Sequence, residues 1–132
     1  SSSSGILPTQ FIGVPAPLYC TATGKAILAS LDNSYIESIV ELGLKKFTEF
    51  TLTNSDELFK DLEDTRKRGY SIDNMEHEYG IKGVGMVLKD ETHLRTAMSV
   101  SGPSLRFTDE TILKIAELLG TLKAKLSSSI LY

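Results

Sequence analysis

Three short stretches carry the residues that could do chemistry, and all three are poor in side chains that fill a core. Gly69 to Gly80 reads GYSIDNMEHEYG, Ile81 to Leu88 reads IKGVGMVL, and Met98 to Glu110 reads MSVSGPSLRFTDE. Read as strands with alternating faces, Ser71 sits with Asp73, Gly83 with Gly85, and Ala97 with Ser99 and Ser101. A packed sheet face wants Val, Ile and Leu, so faces of Gly, Ala, Ser and Asp predict a hollow lined by hydroxyls and one carboxylate. That lining suits a small polar molecule. The competing reading is that the two serines satisfy a sheet edge and Asp73 caps a turn.

Upstream lies PLYCTATGKAILASL, Pro17 to Leu31. If a helix begins at TATGK, its first N–H groups point outward, and small residues let a carboxylate approach them. An ordinary helix start with small residues for close packing is the other reading. A phosphate loop of the Walker type is excluded, because Gly24-Lys25 is followed by Ala26 and no glycine stands five residues before Gly24. Gly80, Gly83 and Gly85 do not form a dinucleotide loop, which must join a strand to a helix; these lie within a strand. Glu76, His77 and Glu78 could ligate a metal with Cys20 or His93, but the spacing matches no zinc pattern. A hydrogen-bonding role for His77 fits better. A Cys20–His77 nucleophile pair is chemically conceivable, without supporting spacing.

These residues need elements to hold them. A helix is expected from Thr21 to Leu31. A second spans Ser34 to Leu42, with a Ser34–Glu37 capping box, an Ile36, Ile39 and Val40 stripe, and Gly43 as its stop. Phe47 to Thr53 reads as an extended connection. A third helix starts with Asn54 and Glu57, buries Leu58, Phe59 and Leu62, and ends at Gly69. Three strands follow, near Tyr70–Asn74, Ile81–Lys89 and Leu94–Ser101, the last two joined by a polar turn over Lys89 to His93. Thr108 caps a final helix carrying Ile112, Ile115, Ala116, Leu119, Leu122 and Leu126. Strands joined by a short turn are antiparallel, so the class is α+β.

Composition narrows the partners. The 132 residues, 41% hydrophobic, suffice for one domain with one core. Fourteen Lys and Arg against seventeen Asp and Glu give a net charge of -3, a poor balance for a DNA-binding surface. The basic run Arg66, Lys67, Arg68 closes a helix before Gly69, where cations complement the macrodipole. One cysteine, Cys20, cannot form an internal disulfide and fits a reducing cytoplasm. No apolar run approaches the length of a membrane span, and SSSSGILPTQ lacks the features of a signal peptide. The four serines read as a remnant, a loop end or a linker.

Four blocks in order, PLxCTAxGKAxLA, a helix ending RKRGY, DxxEHExG, and SVSGPxxRxT, resemble the C-terminal effector-binding domain of the IclR family of bacterial transcription regulators. The likeness runs from about Val14 to Leu126, which makes residues 1–13 an extension or linker and 14–132 the domain. It implies a GAF-like fold, an antiparallel sheet with helices on its outer side and a ligand pocket on the other. It also implies a winged helix-turn-helix, a linker helix and two or more strands ahead of this segment, so the chain is expected to be a fragment without them. By the same likeness Ala22 and Thr23, beside Gly24, offer amides to an effector carboxylate, while Asp73, Ser99 and Ser101 hydrogen-bond the effector. Where some members carry a pocket cysteine this chain has Gly83, which implies a roomier site there. The expected function is sensing of a small organic acid, with no catalysis, cofactor or metal. DNA would be reached only through a domain outside the chain, in a cytoplasmic homodimer or homotetramer. The alternatives are an oligomerisation module without signalling, or an enzyme using Cys20 and His77.

Overall fold

A computed structural model describes residues 17–92 and 94–128. Helix α1 covers Ala22–Ala29 and begins where Thr21 Oγ1 accepts from the Gly24 N–H at 3.1 Å. Helix α2 covers Asn33–Glu41. It starts one residue before the expected Ser34, so Ser34 lies inside the first turn and the Ser34–Glu37 capping box does not form. Asp32 takes the N-cap position without a side-chain hydrogen bond. Gly43, at φ 102°, follows the helix end in the left-handed region as expected.

The connection from Phe47 to Thr53 opens with a turn over residues 47–50 rather than running extended throughout. Thr51 Oγ1 accepts from the Phe47 and Thr48 N–H groups at 3.0 and 2.9 Å, and such a hydroxyl bends the backbone in place of a ladder. Helix α3, Ser55–Arg68, is capped by Asn54, whose side chain accepts from Glu57 N–H, and ends at Gly69 with φ 91°. Its buried residues Leu58 and Leu62 join Tyr19, Cys20, Leu28 and Ile36 in one apolar cluster between α1, α2 and α3.

Strands β1 (Ser71–Asn74), β2 (Ile81–Glu91) and β3 (Leu94–Pro103) form an antiparallel sheet in the order β1-β2-β3. Lys89, Asp90 and Glu91 pair with Thr96, Arg95 and Leu94, so the hairpin turn is shorter than the expected Lys89–His93. His93 itself lies outside the described residues. The register shifts between Val87 and Lys89, where Leu88 is the extra residue of a bulge. A single 3-10 turn, Ser104–Arg106, leads to helix α4, Asp109–Ser128, where Thr108 Oγ1 accepts from Thr111 N–H.

The architecture is α+β. Val84, Met86 and Leu88 face α4 and pack with Phe107, Ile112, Ala116 and Leu119. The opposite face carries Asp73, Gly83 and Ser101 in one row and Ser71, Gly85 and Ser99 in the next. The sequence reading set the Ala22–Thr23 helix start across from Asp73 on this second face. The start of α1 does lie directly on it. The two glycines leave the room: a Cβ on Gly85 would run into the Ala22 carbonyl, and one on Gly83 would lie 3.3 Å from Ala22 Cβ. The sheet thus carries α4 on one face and the start of α1 on the other.

Candidate functional site

The site is built from the strand row outward. Asp73 on β1, Gly83 on β2 and Ser101 on β3 lie side by side, because the antiparallel register pairs Asp73 with Gly83 and Gly83 with Ser101. Ala22 stands above Gly83 in the middle of that row. Six of the seven residues expected to bind a ligand thus converge on one patch: Ala22, Asp73, Gly83, Ser99, Ser101 and, next to Ala22 on α1, Thr23. The space over Gly83 is smaller than the sequence suggested. A side chain there meets Ala22 Cβ and Ser101 Oγ, the latter at 2.7 Å. The roominess expected from a missing cysteine is therefore corrected: Ala22 and Ser101 close in over Gly83.

Gly24 plays a different part from its neighbours. Its N–H is taken by the Thr21 cap, and a Cβ on it would strike the Leu18 backbone at 2.5 Å. It is a close-packing glycine. The Ala22 and Thr23 amides belong to the first turn, where no helix carbonyl can accept from them. Thr21 Oγ1 also donates to Pro17 O at 2.8 Å, fixing the chain as it enters α1.

Asp73 is only 7% exposed. Its Oδ1 accepts from Glu76 N–H at 2.8 Å, while Glu76 Oε2 accepts from Asn74 N–H at 2.9 Å. These reciprocal bonds close the turn after β1, much as a capping box closes a helix start. Between them Met75 adopts φ 57°, a left-handed conformation uncommon outside glycine. Thr48 and Thr51 hold that turn from outside, donating to Met75 O at 2.6 Å and to Glu76 O at 2.5 Å.

The least anticipated feature lies beneath. Lys25 is fully buried, with its Nζ 2.8 Å from Asp61 Oδ2 on α3 and 2.9 and 3.0 Å from the two Glu76 oxygens. The ammonium donates to Oε2; Oε1 is held by charge proximity, without an aligned donor. Sequence reasoning placed Lys25 in an anion motif and left Glu76 without a clear role. The available signal was a lysine in an otherwise small, apolar helix start together with an EHE run carrying surplus acid.

Electrostatics follow from this enclosure. Burial raises the Asp73 and Glu76 carboxyls above their ordinary values, opposed by Glu76 N–H and Lys25 at Asp73, and by Lys25 and Asn74 N–H at Glu76. The buried Cys20 thiol is pushed up to about 12, first by burial and then by the charges of Asp73 and Glu76. A thiol so raised is not a nucleophile at neutral pH. His77 lies edge-on to the Phe47 ring, centroids 4.8 Å apart. Among the described residues no cluster of three His, Cys, Asp or Glu side chains could hold a metal ion, and no helix is long and apolar enough to cross a membrane.

The opposite side of the patch is open. Ser99 is half-buried and Ser101 exposed. Beyond them, the outer edge of β3 has no strand partner among the described residues.

Comparison with known proteins gives the lineage. The family model for the C-terminal region of the bacterial transcriptional regulator IclR matches residues 4–128. The HTH-type transcriptional repressor AllR of Escherichia coli K12 is 36% identical over 110 residues, 82% of this chain and 41% of that protein. The HTH-type transcriptional regulator KdgR of the same strain is 35% identical over 123 residues, 92% of this chain and 47% of that protein. The chain therefore spans less than half the length of these relatives, both of which are transcription regulators rather than enzymes. Among solved structures, the IclR protein of Thermotoga maritima superposes with a TM-score of 0.77 at 37% identity, covering 87% of this chain and 47% of that one. The C-terminal domain of E. coli KdgR gives 0.76 at 35%, covering 88% and 72%. A match across nearly the whole chain, by sequence and by fold, shows that this protein belongs to the IclR family as its C-terminal domain.

Proposed function

We propose that this domain senses a small organic acid and passes its occupancy to a DNA-binding domain outside the chain, in a cytoplasmic homodimer or homotetramer. The observation that carries the reading is the row Asp73–Gly83–Ser101 with the first turn of α1 above it. Donors would stand at one end of the ligand, the Ala22 and Thr23 amides aided by the helix dipole. Acceptors and hydroxyls stand at the other. A molecule with a carboxylate at one end and a hydroxyl or oxo group at the other satisfies both. Asp73 Oδ1 is committed to Glu76 N–H, which leaves Oδ2 to accept from the ligand. Two serine hydroxyls complete the set, each able to donate and accept. Signalling then needs only that the acid bind one arrangement of the parent protein better than another.

The test is calorimetry on the full-length parent protein with hydroxy and oxo acids of two to six carbons. At least one should bind. In a Ser99→Ala/Ser101→Ala variant, two hydrogen bonds of roughly 1 kcal/mol each are lost, so affinity should fall on the order of tenfold or more while the melting temperature holds. An intact protein that binds none of these acids sinks the reading. The acidic balance further predicts that residues 1–132 alone do not retard promoter DNA at low salt, where phosphate contacts are strongest.

A further inference from the structure

We propose that the buried Lys25–Glu76 ion pair is a positioning element for the ligand, setting the gap between the α1 amides and the Asp73 carboxylate and so the length of acid the site accepts. This rests on the organic-acid reading above and adds the determinant of its selectivity. Lys25 lies two residues after Thr23 on α1, and Glu76 three residues after Asp73 at the end of β1. The pair therefore joins the two segments that carry the opposed ligand groups, one step behind the site. Lys25 is wholly buried and Glu76 is 5% exposed, so the contact is shielded from water and salt.

A buried ion pair is an inefficient way to fill a core, since apolar side chains of similar volume usually stabilise as well or better. What it supplies is a fixed separation, because both charges must stay in contact once desolvated. Glu76 transmits that separation directly. Its N–H holds Asp73 Oδ1, and its carboxylate holds Asn74 N–H as well as Lys25. Any shift of Glu76 turns Asp73. On the other side, Asp61 of α3 grips the same ammonium at 2.8 Å, so Lys25 cannot follow Glu76 away from its place. A second tether, Ser71 Oγ donating to Ala22 O at 2.5 Å, ties α1 to β1 on the next strand row. Together these hold α1 to β1 at two points, leaving β3 free of the constraint.

The experiment measures affinities of the full-length parent protein and its variants for 2-oxo acids of two to six carbons, well below every melting temperature. Glu76→Gln keeps the shape and the Asn74 contact but removes the charge. Lys25→Met/Glu76→Gln leaves neither member of the pair charged, and carries the test should Lys25→Met alone not fold. Both variants should lose on the order of tenfold in affinity for the preferred acid. They should also flatten the preference among chain lengths, a change that mere loss of stability does not cause. Lys25→Arg, which keeps charge and reach, should retain most of the preference. If the double variant melts lower yet keeps the parent's affinities and chain-length preference, the pair is a core contact only and the inference is wrong. If the parent protein binds none of the acids, the organic-acid reading fails first and this inference falls with it.

Discussion

The two halves of the site are held by different means. The α1–β1 half is enclosed: Ser71 is fully buried, Ala22 is 4% exposed, and Lys25, Glu76 and Asp61 lie bonded behind it. The β3 half stands at the edge of the sheet, with Ser101 exposed and the neighbouring Met98 and Val100 44% and 41% exposed on the other face. In the first half, Asp73 and Ala22 are fixed by buried hydrogen bonds from Glu76 N–H and Ser71 Oγ. In the second, strand register alone places the hydroxyls among the described residues. In the proposed site, the enclosed half would set the geometry and the edge half would supply adaptable hydrogen bonds.

Glycine substitutions break this contrast most severely. Gly85→Val would drive a side chain into the Ala22 carbonyl, which is backbone and cannot turn aside, and should cost about 3 kcal/mol in chemical denaturation. Gly83→Leu is milder. Its neighbours are Ala22 Cβ and a serine hydroxyl that can rotate, so a loss of roughly 1–2 kcal/mol is expected together with lost acid binding. Equal destabilisation by the two would show that the enclosed half extends over the whole row.

Titration sharpens the comparison. The folded carboxyls of Asp73 and Glu76 are raised, so the folded state holds protons that the unfolded chain has released. Their contribution to stability is fully present below the ordinary carboxylate range, near pH 4, and fades as pH rises through the raised values. Asp73→Asn removes one share of that slope and leaves an acceptor for Glu76 N–H. Denaturation midpoints of the variant relative to the parent should therefore improve as pH climbs through this window. A difference that is flat with pH, or that slopes the other way, would mean Asp73 is well solvated and belongs with the open half.

The smallest effect is chemical rather than energetic. Cys20, fully buried with its thiol pushed up to about 12, should resist alkylation at pH 8 in the native protein and react promptly once unfolded. Rapid labelling of the native state would show that the cluster behind α1 opens readily.

Much of this was legible in the residues. Asn54 and Thr108 announced their helices because a short polar side chain at an N-cap answers a local need. Gly43 and Gly69 marked helix ends because few other residues accept their conformation. The shared faces of Asp73, Gly83, Ser99 and Ser101 followed from period two alone. Ser34 misled, since a capping box also depends on where the preceding chain turns, and Asp32 began the helix earlier. Phe47 to Thr53 misled too, because the Thr51 hydroxyl supplies a bend that hydrophobic pattern does not record.

Local order, periodicity and the four motif blocks were thus determined by sequence itself, since each depends on residues within a few positions of one another. Only the tertiary structure decided what stands on the Gly83 and Gly85 face. A missing side chain permits either a ligand or another backbone, and the choice fell to the close approach of α1. It alone also joined Lys25 to Glu76, 51 residues apart, because nothing in a lysine's neighbours along the chain states which buried carboxylate will neutralise it. Once buried, that charge needs its carboxylate partners, and so α1, α3 and the turn after β1 meet at a common point.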